Sequence, residues 1–232
     1  MKKIFLLLFA ILLATPMLGQ RVRGSVLFNL KRMMDEQVID YNGNEEEILV
    51  GSRYLNDDFL AGTIFYKDSI VEDNVLLRYN IFDDQIEMKD PRLVKEKGFY
   101  GALVKQRDVY VEIATKKYKF FPTFNIDSYG SYLEEIEAGD KFSLYRKYSI
   151  RFLPRIIPKT DYDERREPTL ELSSKLYLRG ESGVFEEMPE GRRAYKLFEK
   201  NSDKVKKYLK SNDVDFDQNS DLQKLIRFAN SI

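Results

Sequence analysis

KFSLYRKYSIRFL, residues 141 to 153, alternates polar and apolar side chains along its length. Phe142, Leu144, Tyr148, Ile150 and Phe152 fall on one face, and Lys141, Ser143, Lys147, Ser149 and Arg151 on the other. A period of two marks a strand with one buried face. Runs of similar texture are EEILVG (46–51), LAGTIFY (60–66), FYGALVKQ (99–106), DVYVEI (108–113), KYKFF (117–121) and LELSSKLYLRG (170–180). They are separated by Gly, Asp and Asn clusters, and most lie too close together for the dozen-residue crossover that parallel neighbours require. The chain is also rich in Tyr (15) and Phe (16), residues that favour strands. The expected fold is α+β: mainly antiparallel β, as a sandwich or partly open barrel, with a small C-terminal helical appendage.

The appendage is read from a change of period after Pro189. Ala194, Leu197 and Phe198, then Val205, Tyr208 and Leu209, then Leu222, Leu225, Ile226 and Ala229 recur at three-and-four spacing, which places each set on one helix face. Ser220 and Gln223 have the spacing of a capping box. Between Val26 and Val38 the apolar residues match helical spacing without a strong cap, so the segment reads either as helix or as lead-in. PRIIPKTDYDERREPT (154–169) reads as an exposed loop. The domain boundaries implied are 1–19 for a signal peptide, 20–188 for the β domain and 189–232 for the helical segment.

NVLLRYNIFDDQIEM (74–88) places Arg78, Asp83, Asp84 and Glu87 within an apolar run. A hairpin turning at Asp83 and Asp84 pairs Ile81 with Ile86, Tyr79 with Met88, Asn80 with Glu87 and Phe82 with Gln85, which sorts the pairs by polarity. In this reading Arg78, Asn80 and Glu87 line the solvent side. Adjacent aspartates in a turn point apart, so they do not form the converging carboxyl pair of a glycosidase. Arg78 and Arg146, the second being the one charge on the apolar face of 141–153, are the binding candidates; either could instead pair with a carboxylate.

Lys2 and Lys3 precede the apolar run Ile4 to Ala14, followed by TPMLGQ, the order of a secretory signal peptide. The run is shorter than the roughly 20 residues needed to span a bilayer. The expected cleavage lies between Gly19 and Gln20, giving an exported protein of the periplasm, cell surface or extracellular space, with no integral membrane insertion after signal removal. Basic and acidic residues balance at 38 each, so loss of Lys2 and Lys3 leaves a side-chain charge of about −2, which offers nothing to nucleic acid. The chain has no Cys and no His. That excludes disulfides, Ser-His and Cys-His nucleophiles and ordinary zinc or haem ligation. No catalytic residue, cofactor or metal site is implied. DVDFDQNSD (213–221) alternates acids like half of an EF-hand, but Gln218 and Lys224 stand where the loop needs Gly and a bidentate Glu; it reads as a solvated linker ahead of a helix.

GSRYLNDDFLAGTIFYKDSI, NVLLRYNIFDDQIEM, SYLEEIEAGDKFSLYRKYSIRFLP and DLQKLIRFANSI together resemble a family of uncharacterised exported proteins of Bacteroidetes-type bacteria. Its members read YLN, two acidic residues and F, then LRYNIY, and close on LxKLxxYxNS. The chain departs from that pattern at Phe82 and at Phe228-Ala229. The resemblance implies a fold and an envelope or extracellular address, and carries no catalytic residue. Asp68-Ser69-Ile70 also resembles the motif at which exported proteins of such bacteria are O-glycosylated, which makes Ser69 the acceptor. The function expected is a non-enzymatic binding or structural protein of the envelope, with a protein or glycan partner. The alternatives are a carboxylate-dependent hydrolase acting on glycans and a small outer-membrane barrel.

Overall fold

A computed structural model describes residues 34–37, 49–89, 100–124, 130–158, 160 and 165–232. The signal segment, with Gly19 and Gln20, lies outside the described residues. The strands are β1 (Met34–Gln37), β2 (Leu60–Tyr66), β3 (Ser69–Asn80), β4 (Gln85–Lys89), β5 (Tyr100–Leu103), β6 (Val109–Ile113), β7 (Lys116–Phe121), β8 (Ser131–Glu137), β9 (Ser143–Leu153), β10 (Thr169–Arg179) and β11 (Phe185–Glu187). They form one open sheet in the order β1-β5-β4-β3-β2-β6-β7-β8-β9-β10-β11, and every pairing of neighbouring strands is antiparallel. Of the segment with helical spacing, the described part, Met34–Gln37, pairs with β5 as a strand.

The sheet rolls. β3 and β8 are four places apart, roughly 19 Å along a flat sheet, yet the Tyr79 and Tyr132 rings lie 6.3 Å apart. Residues 50–55 bridge the seam: Val50 donates to the Pro168 carbonyl (2.9 Å) and accepts from Leu170 (2.8 Å), while Leu55 donates to Tyr79 (3.1 Å). Gly51 makes this approach possible, since its φ is +93° and a Cβ there would lie 2.3 Å from the Leu170 carbonyl oxygen.

Inside the roll, Ile64, Leu77, Tyr79, Ile86, Met88, Val111, Tyr118, Tyr132 and Tyr148 form one core. A second core joins Ile136, Phe142, Leu144, Leu176 and Leu178 to the C-terminal segment. There a broken 3₁₀ run (Gly191–Asn201) leads into α1 (Ser202–Ser211) and α2 (Asn219–Ser231). Ala194, Phe198, Val205, Leu209, Leu222, Leu225, Ile226 and Ala229 are buried as their spacing requires. The expected capping box does not form. α2 starts at Asn219, two residues early, with no side-chain cap, and Gln223 instead donates to the Ile136 carbonyl (3.0 Å), docking the helix on β8. A third, smaller cluster lies on the outer face, where Phe124, Leu133 and Tyr145 pack with Phe121, Tyr177 and Phe185.

Candidate functional site

The β3–β4 hairpin keeps the expected faces but shifts its register. Arg78 pairs with Glu87, Tyr79 with Ile86 and Asn80 with Gln85, leaving Ile81 to Asp84 as a four-residue turn. Asn80 sets the length of that turn: its Oδ1 accepts from the Asp83 amide (3.1 Å) and its Nδ2 donates to Asp83 Oδ2 (2.8 Å) and Glu87 Oε1 (2.9 Å). The polar side of this hairpin is not solvated. Asn80 and Glu87 are 0% and 1% exposed, because the 50s segment covers them. Arg78 lies between the Tyr54 and Phe59 rings (3.6 and 4.2 Å to the centroids) and donates to Glu87 Oε2 (2.6 and 3.0 Å) and to the Asp57 carbonyl (2.8 Å). The burial arises because a guanidinium stacks on aromatic faces while its fork meets a carboxylate.

Asp84 closes the turn in the left-handed region, at φ +52°. From there its carboxylate reaches across the roll. It accepts from Tyr79 OH (2.6 Å), Lys147 Nζ (2.7 Å), Ser131 Oγ (3.1 Å) and the Tyr132 amide (3.3 Å), with Lys105 Nζ 3.7 Å away. One turn residue thereby ties β3 and β4 to β8 and β9. Burial, followed by the charge of Asp84, pushes the Tyr79 hydroxyl well above its ordinary pKa of 10.0.

A second carboxylate lies further along the interior. Glu134 is opposite Tyr118 on one side and Arg146 on the other, and its side chain is 2% exposed. It accepts from Tyr148 OH (2.5 Å), with Lys116 Nζ at 3.6 Å, Arg146 at 4.0 Å and Asn219 Nδ2 at 3.5 Å. Lys116 also donates to Tyr148 (3.0 Å). This layer separates the two cores, since Tyr132-Glu134-Ile136 and Tyr148-Arg146-Leu144 run from one core to the other on the same face of their strands. Burial is the largest cause raising the Tyr118 and Tyr148 pKa values, and Glu134 adds to both.

Asp84 and Glu134 are each matched by cations and hydroxyls, so their charge is spent holding strands together. The Tyr132 hydroxyl and Asn219 Oδ1 are buried without a partner among the described residues. Arg146 thus has the pairing role that its position allows, and Arg78 is held the same way at the opposite end. Ser69 is exposed at the start of β3, directly after the turn residues Lys67 and Asp68, both at positive φ. The alternating aspartates do not converge: Asp215 accepts from the Asp217 amide, Asp221 pairs with Lys224 (2.9 Å), and Asn219 points to Glu134. Among the described residues no group of carboxylates is arranged to hold a metal. A cleft of about 420 Å³ between α1 and α2 is lined by Tyr208, Asp213, Asp221 and Lys224.

Sequence reasoning missed two interior sets, Asp84 with Lys147 and Tyr79, and Glu134 with Tyr148 and Lys116. The available signal was SYLEEIE, which places Glu134 between Tyr132 and Ile136 on one face, as Arg146 sits between Leu144 and Tyr148.

Comparison with known protein families, with curated proteins and with solved structures returned no match.

Proposed function

We propose that this is an exported, non-enzymatic binding or structural protein of the cell envelope. The observation that carries the binding role is an apolar surface at the far end of β9 and β10, where Phe152, Ile157 and Leu172 are 53%, 75% and 48% exposed, with Ile156 and Val50 nearby in the fold. Contiguous exposed apolar residues mark interaction sites more often than isolated ones do. The address rests on the signal-like N-terminus and on the resemblance to exported proteins of Bacteroidetes-type bacteria.

The outer faces of the strands support a water-exposed protein over a lipid-facing barrel. They carry Lys119 with Glu135, Arg151 with Glu171 and Lys175 with Glu187, whereas a transmembrane strand turns apolar residues outward. Among the described residues no helix is long and apolar enough to cross a membrane. The immobilised mature chain, incubated with envelope extract, is expected to retain one stoichiometric protein or glycan partner. Substitution of Phe152 and Leu172 by Ser is expected to abolish retention. Turnover of a glycan by the purified chain would overturn the reading. Sequencing the exported chain from its N-terminus is expected to begin at Gln20.

A further inference from the structure

The middle of β10 has an open edge. Leu170 donates away from β9 to Val50, and the Leu176 carbonyl accepts on that same side from Met188 (2.8 Å each). Backbone groups alternate sides along a strand, so Leu172 and Ser174, in phase with Leu170 and Leu176, also direct their N–H and C=O away from β9. Among the described residues nothing bonds these four groups, and Glu171 to Lys175 are all exposed. The gap is roughly 17 Å long. Its ends are blocked by Val50 and by Met188.

We infer that this edge takes one short extended segment of a partner protein, added antiparallel to β10. This deepens the binding role proposed above and rests on it. A second copy of the chain does not fit, because its own β10 runs from Thr169 to Arg179 and would collide with Val50 and Met188. The charges favour one segment: Glu171 and Lys175 project on one face at opposite ends of the gap, each in an exposed ion pair, with Arg151 (2.6 Å) and Glu187 (2.9 Å), that an added strand can share. An antiparallel partner is therefore favoured by an acidic residue facing Lys175 and, four positions later, a basic one facing Glu171. The residues between them exchange four backbone hydrogen bonds with Leu172 and Ser174 and lay an apolar side chain beside Leu172, as in other strand-addition sites.

The probe is acetyl-Glu-Leu-Thr-Leu-Lys-amide, titrated to millimolar concentration against the mature chain and read by amide hydrogen exchange. Slowed exchange at Leu172 and Ser174, with Ser173 unchanged, is the expected result. The peptide with its two charges interchanged is expected to bind at least threefold more weakly, and the double variant Glu171→Lys, Lys175→Glu to reverse that order. Unchanged exchange, equal binding of both peptides, or protection of Leu172 and Ser174 by self-association without peptide would each overturn the inference. An envelope partner retained equally by wild type and the double variant would leave the binding role standing and remove this site from it.

Discussion

A carboxylate with 1% of its surface exposed must find its partners inside the protein, and Glu87 has three donors, from Arg78 Nε, Arg78 NH2 and Asn80. Removing one partner of a buried pair leaves the other uncompensated, which costs about 3–5 kcal/mol. Arg78→Ala is therefore expected to lower the unfolding free energy by that amount, read as a lower denaturation midpoint with little change in denaturant dependence. Arg78→Lys restores charge but not the stacking on Tyr54 and Phe59, and should recover only part of the loss. The interior tyrosines give a pH signature. Tyr79, Tyr118, Tyr132 and Tyr148 all have pKa values raised chiefly by burial. Below the unfolded value of about 10 both states keep the phenol proton, so this stability is fully present there. Above it the unfolded chain ionises first, and stability falls by up to about 1.4 kcal/mol per pH unit for each such tyrosine until the folded values are reached. Stability measured from pH 7 to 12 is expected to bend downward near 10. Tyrosinate absorbance should rise together with unfolding, and full ionisation in a folded chain would contradict this account.

At the scale of elements, Asp84 joins a turn to two strands that are distant along the sheet. Asp84→Asn suits the left-handed backbone, which Asn tolerates, but it removes the charge facing Lys147 and Lys105. Asp84→Ala also leaves Tyr79 OH and Ser131 without their acceptor. Losses of about 1–3 kcal/mol are expected for each buried group left unpaired, with Ala worse than Asn. Hydrogen exchange should localise the loosening to β3, β4 and the start of β8. Uniform loss across the sheet would deny Asp84 its tying role. The hairpin shows what its sequence could reveal. Polarity identified the faces, but shifting the register by two residues keeps every face, so only the side chain of Asn80, bonding within the turn, distinguishes the two pairings. β8 was illegible for a different reason: Ser131 to Glu134 are buried on both faces, and a strand covered on both sides shows no alternation. The long strands β9 and β10 were legible because one face of each meets solvent over much of its length. Gln223 matched a cap by spacing, yet the carbonyl of Ile136, distant in sequence, claimed it.

For the whole molecule the question is whether sheet and helices unfold together. The Glu134 layer divides the interior, which by itself would favour two independent units. Three connections oppose that. β8 and β9 run through both cores, and β10 pairs with β9 along its whole length. α2 is fixed to β8 by Gln223 and by Arg227 on Glu137 (2.8 and 3.0 Å). Asn230 accepts from the amides of Lys141 and Phe142 (3.0 and 2.9 Å) and donates to the Phe142 carbonyl (2.8 Å), which anchors the end of α2 to the lead-in of β9. Leu225, fully buried in the helical core, reports on the coupling. Leu225→Ala should cost about 2–5 kcal/mol through lost burial and a residual cavity. If the molecule is one cooperative unit, that cost lowers the transition of the tyrosine core, followed by near-UV circular dichroism, as much as that of the helices, followed in the far UV. Separate transitions, with the tyrosine signal unmoved, would instead make the polar layer a boundary between two folding units.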